Sequence, residues 1–285
     1  QRSCLHPIAL NTPTVIEGTE ITFFDANHCP GAAIVLFRLR GGKGKCYLHT
    51  GDFRFDQGTM CAITALQQYA WAPGAQVPPA ARLDALFLDT TYCDPKHTFP
   101  SQRAVIEVVL DIVRNHVRDA EAARKRAAQH FFGTAHSENT SNTSAGASKA
   151  AGQAKGRSRG GAFTRTLFLF GTYTIGKEKM FLAVAEELGE KIYVASEKAR
   201  ILGCLGEEDG WGAERCKSLL TRNPDKSCVH VVPMGHCTFK RMSQRLDDLE
   251  GRYTHVVAFQ PTGWSFGGHG KSRRGGHGTS CGDTG

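Results

Sequence analysis

The stretch 21–56, ITFFDANHCPGAAIVLFRLRGGKGKCYLHTGDFRFD, restricts the fold of this chain more than any other. Three β-prone runs, 21–24, 32–39 and 46–49, are separated by clusters of Asp, Asn, Pro and Gly. Short apolar runs bounded by such residues read as strands joined by tight turns. The glycine-rich turn at 41–44 pairs the second and third strands antiparallel. His28, in the turn before the second strand, and Asp52, in the turn after the third, then lie at one edge of the sheet. An imidazole and a carboxylate on neighbouring loops are candidate metal ligands. The competing reading is an ordinary solvated turn, since Asp25, Asn27, Pro30 and Gly31 are common turn formers.

Residues 1–20 read as one irregular strand, and 57–82, with Pro73, Pro78 and Pro79, as a surface excursion. The run 83–88 is an apolar strand that stops at Asp89, a third polar group placed just after a strand end. If these strands are neighbours, His28, Asp52 and Asp89 converge. Such a set suits a divalent ion that activates water and stabilises charge on a phosphoryl oxygen. Asp89 could equally cap a turn or a helix. A helix is expected from Ser101, with Ala104, Val105, Val108, Val109, Ile112 and Val113 on its apolar face.

Residues 133–162 contain no Val, Ile, Leu, Met, Phe, Tyr or Trp. A segment so poor in apolar groups cannot offset the entropy of ordering, so a disordered insert is expected there. The pattern then resumes as strand 166–170, loop, and a helix from about Ile175 to Leu188 ended by Gly189. Strands at 191–194, 228–232 and 254–259 and a helix near 239–250 continue the alternation, which is that of a parallel α/β unit. The loop 171–179 carries Thr172, Thr174 and Lys177 at a helix start, a plausible cradle for a phosphate. It is not a P-loop, because Glu178 stands where Ser or Thr is required. The alternative is a capped surface helix with solvated lysines.

Of the other histidines, His49 is expected to pack in its strand. Either His230 or His236 could approach the site, and His269 and His277 lie in a glycine-rich tail, 262–285. Cys29 and Cys93 lack an identified base, so no nucleophile pair stands out. The net charge of +8 belongs to two stretches: 118–165, with nine Lys/Arg against three Asp/Glu, and 262–285, with three against one. The rest of the chain is balanced, so any cationic groove there must be local. Ten cysteines without a C-x-x-C pair suggest reduced structural thiols rather than a zinc ribbon. No apolar run is long enough to span a bilayer, and 285 residues suffice for one large or two ordinary domains.

Five blocks, DANHCPGA, HTGDFR, LDTTYCDPKHTFPSQ, GTYTIGKEK and AFQPTGW, together resemble the DNA cross-link repair nucleases of the Artemis and Apollo type. These form the β-CASP branch of the metallo-β-lactamase superfamily. The resemblance implies an α/β fold: a partial metallo-β-lactamase αββα sandwich over 1–88, an inserted β-CASP α/β domain over 89–261, and the tail. It implies a metal-dependent 5′→3′ DNA exonuclease of nuclear interstrand cross-link and double-strand break repair. His28 and Asp52 become metal ligands and Asp52 and Asp89 the catalytic carboxylates, with zinc as the expected divalent ion. Thr172, Thr174 and Lys177 are assigned to the substrate phosphate by the helix-start argument. The expected partner is DNA with a single-stranded or damaged 5′-phosphorylated end, and no membrane. The family's H-x-H-x-D-H motif and its later histidine do not occur in the sequence, so the chain reads as an internal piece of the catalytic module. That leaves a non-catalytic DNA-binding remnant, or an RNA-processing endonuclease of the same superfamily, as alternatives.

Overall fold

The computed structural model describes residues 6–40, 44–134, 165–206 and 213–263. Nearly all of the expected insert and tail therefore lies outside the described residues, as do His269 and His277. Among the described residues, two five-stranded sheets organise the fold. The first has the order β1(Thr14–Ile16), β2(Thr19–Asp25), β3(Ala33–Leu39), β4(Cys46–His49), β5(Ala85–Phe87). The first four strands pair antiparallel, as the hairpin pattern predicts. β5 adds in parallel to β4, which requires the intervening segment to cross over the sheet.

That crossover corrects the surface excursion expected for 57–82. It contains α1(Gln57–Cys61), capped by the Asp56 side chain on the Thr59 N–H, and α2(Thr64–Gln67). Met60, Ile63, Leu66 and Tyr69 close over Phe24, Ile34, Leu36 and Cys46 on one face of the sheet. Fully burying a side chain such as Phe24 contributes about 1.5–3 kcal/mol, and two short helices could not persist without that face.

The second sheet has the order β10(His255–Phe259), β6(Thr166–Thr172), β9(Val229–Pro233), β7(Ile192–Tyr193), β8(Leu220–Thr221), and every pair is parallel. The expected parallel α/β alternation is thus present. All seven residues of β6 are buried, because helices cover both of its faces. Phe168 and Phe170 meet α4(Glu178–Leu188) and α3(Gln102–Thr134) on one side. Leu167 and Leu169 meet Met242, Leu246 and Leu249 of α7(Phe239–Asp248) and its C-terminal end on the other. On α3 the packed residues are Val105, Ile106, Val109, Leu110, Val113 and Val117, a stripe at helical spacing. Val108, expected on that face, is 58% exposed.

Two further local expectations are corrected. α4 begins at Glu178 rather than near Ile175, because Gly176 and Lys177 both take positive φ and end the loop there. Its C-terminus is as expected: Gly189 sits in the left-handed region and its N–H returns to Ala185 and Glu186. His49 is exposed at the end of β4, stacked on Phe87. The helices α5(Ser196–Leu202) and α6(Ala213–Leu219) and the strand β8 were not legible in the sequence pattern.

Candidate functional site

Three loops meet at one end of the first sheet. The turn between β2 and β3 is closed by Ala26 N–H to Ala32 O at 3.1 Å and Ala32 N–H to Cys29 O at 3.0 Å. Asn27 adopts φ +53, and Asp25 caps its N–H at 2.8 Å. This presents His28 on the surface. The loop after β4 is tied to that turn by Arg54 N–H to Ala26 O at 2.9 Å. Gly51 is required at the crossing: its φ is +56, and a Cβ there would stand 2.8 Å from Ala33 O. The same approach brings Asp52 beside the His28 turn.

Thr50 joins the third loop. Its buried hydroxyl accepts the Asp89 N–H at 2.9 Å, and its own N–H reaches Phe87 O at 2.9 Å. Asp89 Oδ1 in turn accepts the Thr91 hydroxyl at 2.6 Å and the Thr91 N–H at 2.9 Å. These bonds hold its carboxyl below the usual carboxylate range, the hydroxyl first and the N–H second. Asp89 therefore does cap a turn, and it also faces His28.

The electrostatics of His28 report what surrounds it. Partial burial lowers its pKa, and the cations Arg54 and Lys177 lower it further, against the opposing pull of Asp52 and Asp89. The imidazole is thereby held neutral near pH 7, the form that ligates metals. The loop following β6 supplies the far wall. Gly176 (φ +100) places its Cα against the Cys29 Cβ, where an added Cβ would lie at 3.4 Å. Lys179 Nζ meets Asn27 Oδ1 at 3.2 Å, and Gln102 donates to Asn27 O at 3.4 Å. The His28 turn is thus gripped by groups attached to the second sheet. Lys177 is half-buried, and that burial, then Arg54, depresses its ammonium pKa.

His28, Asp52, Asp89 and Lys177 are therefore brought together. Thr172 is only 5% exposed, inside β6, so the phosphate-contact expectation narrows to Thr174 and Lys177. His230 is fully buried on β9, and its ring is held by Ser227, Pro224 and Arg245, away from any open surface. Arg54, Thr50 and Glu178 were missed as contributors, although all three sit inside two of the quoted motifs, HTGDFR and GTYTIGKEK. Among the described residues no group of three or more His, Cys, Asp and Glu side chains is close enough to hold a metal ion. His28 and Asp52 alone fall short of the three or four protein ligands that zinc takes.

Comparison with known proteins shows what the chain as a whole is similar to. The family described as DNA repair metallo-beta-lactamase matches residues 214–277, and a family of that kind implies dependence on a divalent metal. The chain is 33% identical to the human DNA cross-link repair 1A protein over 93% of its own length and 19% of that protein's. It is 31% identical to the DNA cross-link repair protein SNM1 of Arabidopsis thaliana, over 93% of this chain and 41% of that one. A shorter match, 34% identical over 35% of this chain and 15% of the relative, is to the 5′ exonuclease Apollo of Danio rerio. The chain thus spans between 19% and 41% of the length of the first two relatives. Over nearly its whole length the chain is similar to DNA cross-link repair proteins, and its residues 214–277 match the DNA repair metallo-beta-lactamase family.

Proposed function

We propose that the chain forms part of a metal-dependent 5′→3′ DNA exonuclease of cross-link and double-strand break repair, acting in the nucleus. The observation that carries this reading is the shared electrostatic neighbourhood of His28, Asp52, Asp89 and Lys177 at the meeting of three loops with the second sheet. Its composition, two carboxylates and a neutral imidazole opposite an ammonium, suits a phosphodiester held between a metal and a cation. The relatives' names supply the substrate class.

The domain division goes with this reading: a metallo-β-lactamase part up to about residue 88 and a β-CASP part over 89–261. Zinc is the proposed ion, with His28 and Asp52 as two of its ligands; the remaining ligands must come from other groups. The chain's own residues bind and orient. Lys177 meets a phosphate oxygen of a 5′-phosphorylated end, Thr174 offers its exposed hydroxyl beside it, and Asp89 orders the loop facing His28. A cradle open at the surface suits a single-stranded or frayed end better than a closed duplex.

The test is degradation of a 5′-phosphorylated single-stranded DNA oligonucleotide by the zinc-supplemented protein, beside a matched RNA strand and a strand lacking the phosphate. The expected result is stepwise shortening from the 5′ end of the phosphorylated DNA, lowered at least about 100-fold by Asp52→Ala. Equal activity in that variant refutes the site. Preferential cleavage of the RNA strand would favour an RNA-processing endonuclease, since the 2′-OH is what separates the two substrates.

A further inference from the structure

The loop that offers Lys177 to the site is held from behind by a residue far away in sequence. Lys198, on α5, is 11% exposed in its side chain, and Glu178 is 5% exposed. The Lys198 ammonium lies 3.2 Å from Glu178 Oε1, and it donates to Thr174 O at 2.9 Å and Tyr173 O at 3.3 Å. Its three N–H donors therefore have three acceptors. The same Glu178 oxygen accepts the Gly176 N–H at 2.9 Å. One buried ion pair thus ties down Tyr173, Thr174, Gly176 and Glu178, while the Lys177 side chain is left facing His28.

Two physical arguments separate this from a generic stabilising contact. A buried ion pair contributes little net stability compared with a well-packed apolar pair, but its geometry is directional. The backbone it fixes is also unfavourable. Gly176 and Lys177 take successive positive φ values of +100 and +72, and a non-glycine residue in that region is strained. Glycine would relieve the strain at 177, yet a lysine stands there. We propose that Lys198, through Glu178 and the carbonyls of Tyr173 and Thr174, is a positioning residue that holds Lys177 in its left-handed conformation for contact with a DNA phosphate. This rests on the reading of the site given above.

The experiment measures binding of the 285-residue chain to a fluorescent 5′-phosphorylated single-stranded DNA by anisotropy across a salt series. Removing one phosphate contact from a single strand reduces the slope of log K against log salt by about 0.7. Lys177→Ala is expected to show that reduction. Lys198→Met is expected to show it too, although its own ammonium is buried, and Lys198→Arg to restore part of it. The double variant should bind no more weakly than Lys177→Ala alone. A folded Lys198→Met with the parental slope overturns the proposal, as does a double variant whose loss is the sum of the two singles. Should Lys198→Met not fold, Glu178→Gln combined with Lys198→Met removes both buried charges and carries the same comparison. A parent chain without salt-dependent binding would instead sink the DNA reading. Amide hydrogen exchange then decides the positioning role separately: Gly176 must exchange faster in the Lys198 variant, and unchanged protection overturns it.

Discussion

His230 makes the stability of this protein sensitive to mild acid. Its side chain is 0% exposed. Nε2 lies 2.9 Å from Ser227 O and 3.1 Å from Pro224 O, so the hydrogen-bond network assigns the ring proton to that nitrogen. Nδ1 must then accept from the Arg245 guanidinium at 3.1 Å. Adding a second proton would place an N–H against a cation in a fully buried site. Burial first, and Arg245 second, push the His230 pKa from 6.5 down to about 4. A group whose folded pKa is depressed in this way, and which charges by gaining a proton, stabilises the fold fully above its unfolded value. That contribution is lost as the pH falls from 6.5 towards 4. Each pH unit in the interval costs about 1.4 kcal/mol, so about 2 kcal/mol is gone at pH 5 and about 3 kcal/mol near pH 4. Against a total of about 5–15 kcal/mol for a domain, that is a large share.

The assay is urea unfolding at pH 7 and pH 5 for the parent and for His230→Phe. The variant starts lower, because the Ser227 and Pro224 carbonyls lose their donor. Its loss between the two pH values should nevertheless be smaller than the parent's by about 2 kcal/mol. His28 titrates in the same direction, since burial lowers its pKa as well, but it is present in both proteins and cancels in the difference. Parallel losses in parent and variant would refute the assignment of a neutral, Nε2-protonated His230.

Other outcomes follow from the same geometry. Phe181→Ala, at a position with 0% exposure in the core between α4 and the second sheet, should cost about 3–5 kcal/mol in chemical denaturation. Gly51→Ala should cost about 1–3 kcal/mol and depress the proposed nuclease activity together with stability, because the new Cβ meets Ala33 O at 2.8 Å; a neutral result would mean the loop can pass the strand elsewhere. Thr50→Val preserves shape but leaves the Asp89 N–H without its 2.9 Å acceptor. It should destabilise by about 1–3 kcal/mol and lower the turnover rate of the proposed nuclease more than its substrate affinity, read from steady-state kinetics on the DNA strand.

Local chemistry made much of this protein readable without coordinates. Alternating apolar runs split by Asp-Ala-Asn-His-Cys-Pro-Gly and by glycine-rich turns specify β2, β3 and β4, because short apolar segments between turn formers have few other solutions. The Gly189 stop and the parallel unit were legible for the same reason, and the placement of His28, Asp52 and Asp89 after strand ends follows from chain connectivity. Tertiary contacts decided the rest. Whether 57–82 wanders or folds depends on the Phe24–Leu36 face that receives Met60 and Leu66. The start of α4 depends on a carboxylate, Glu178, that only a lysine twenty residues later can neutralise in a buried setting. His28 could not be told from a solvated turn histidine until Lys177 and Lys179, about 150 residues further along, were seen to close on its loop. Sequence pattern carries information over the few residues that share a turn or a strand; the charges that tune this site act through space, between segments that only the folded chain makes neighbours.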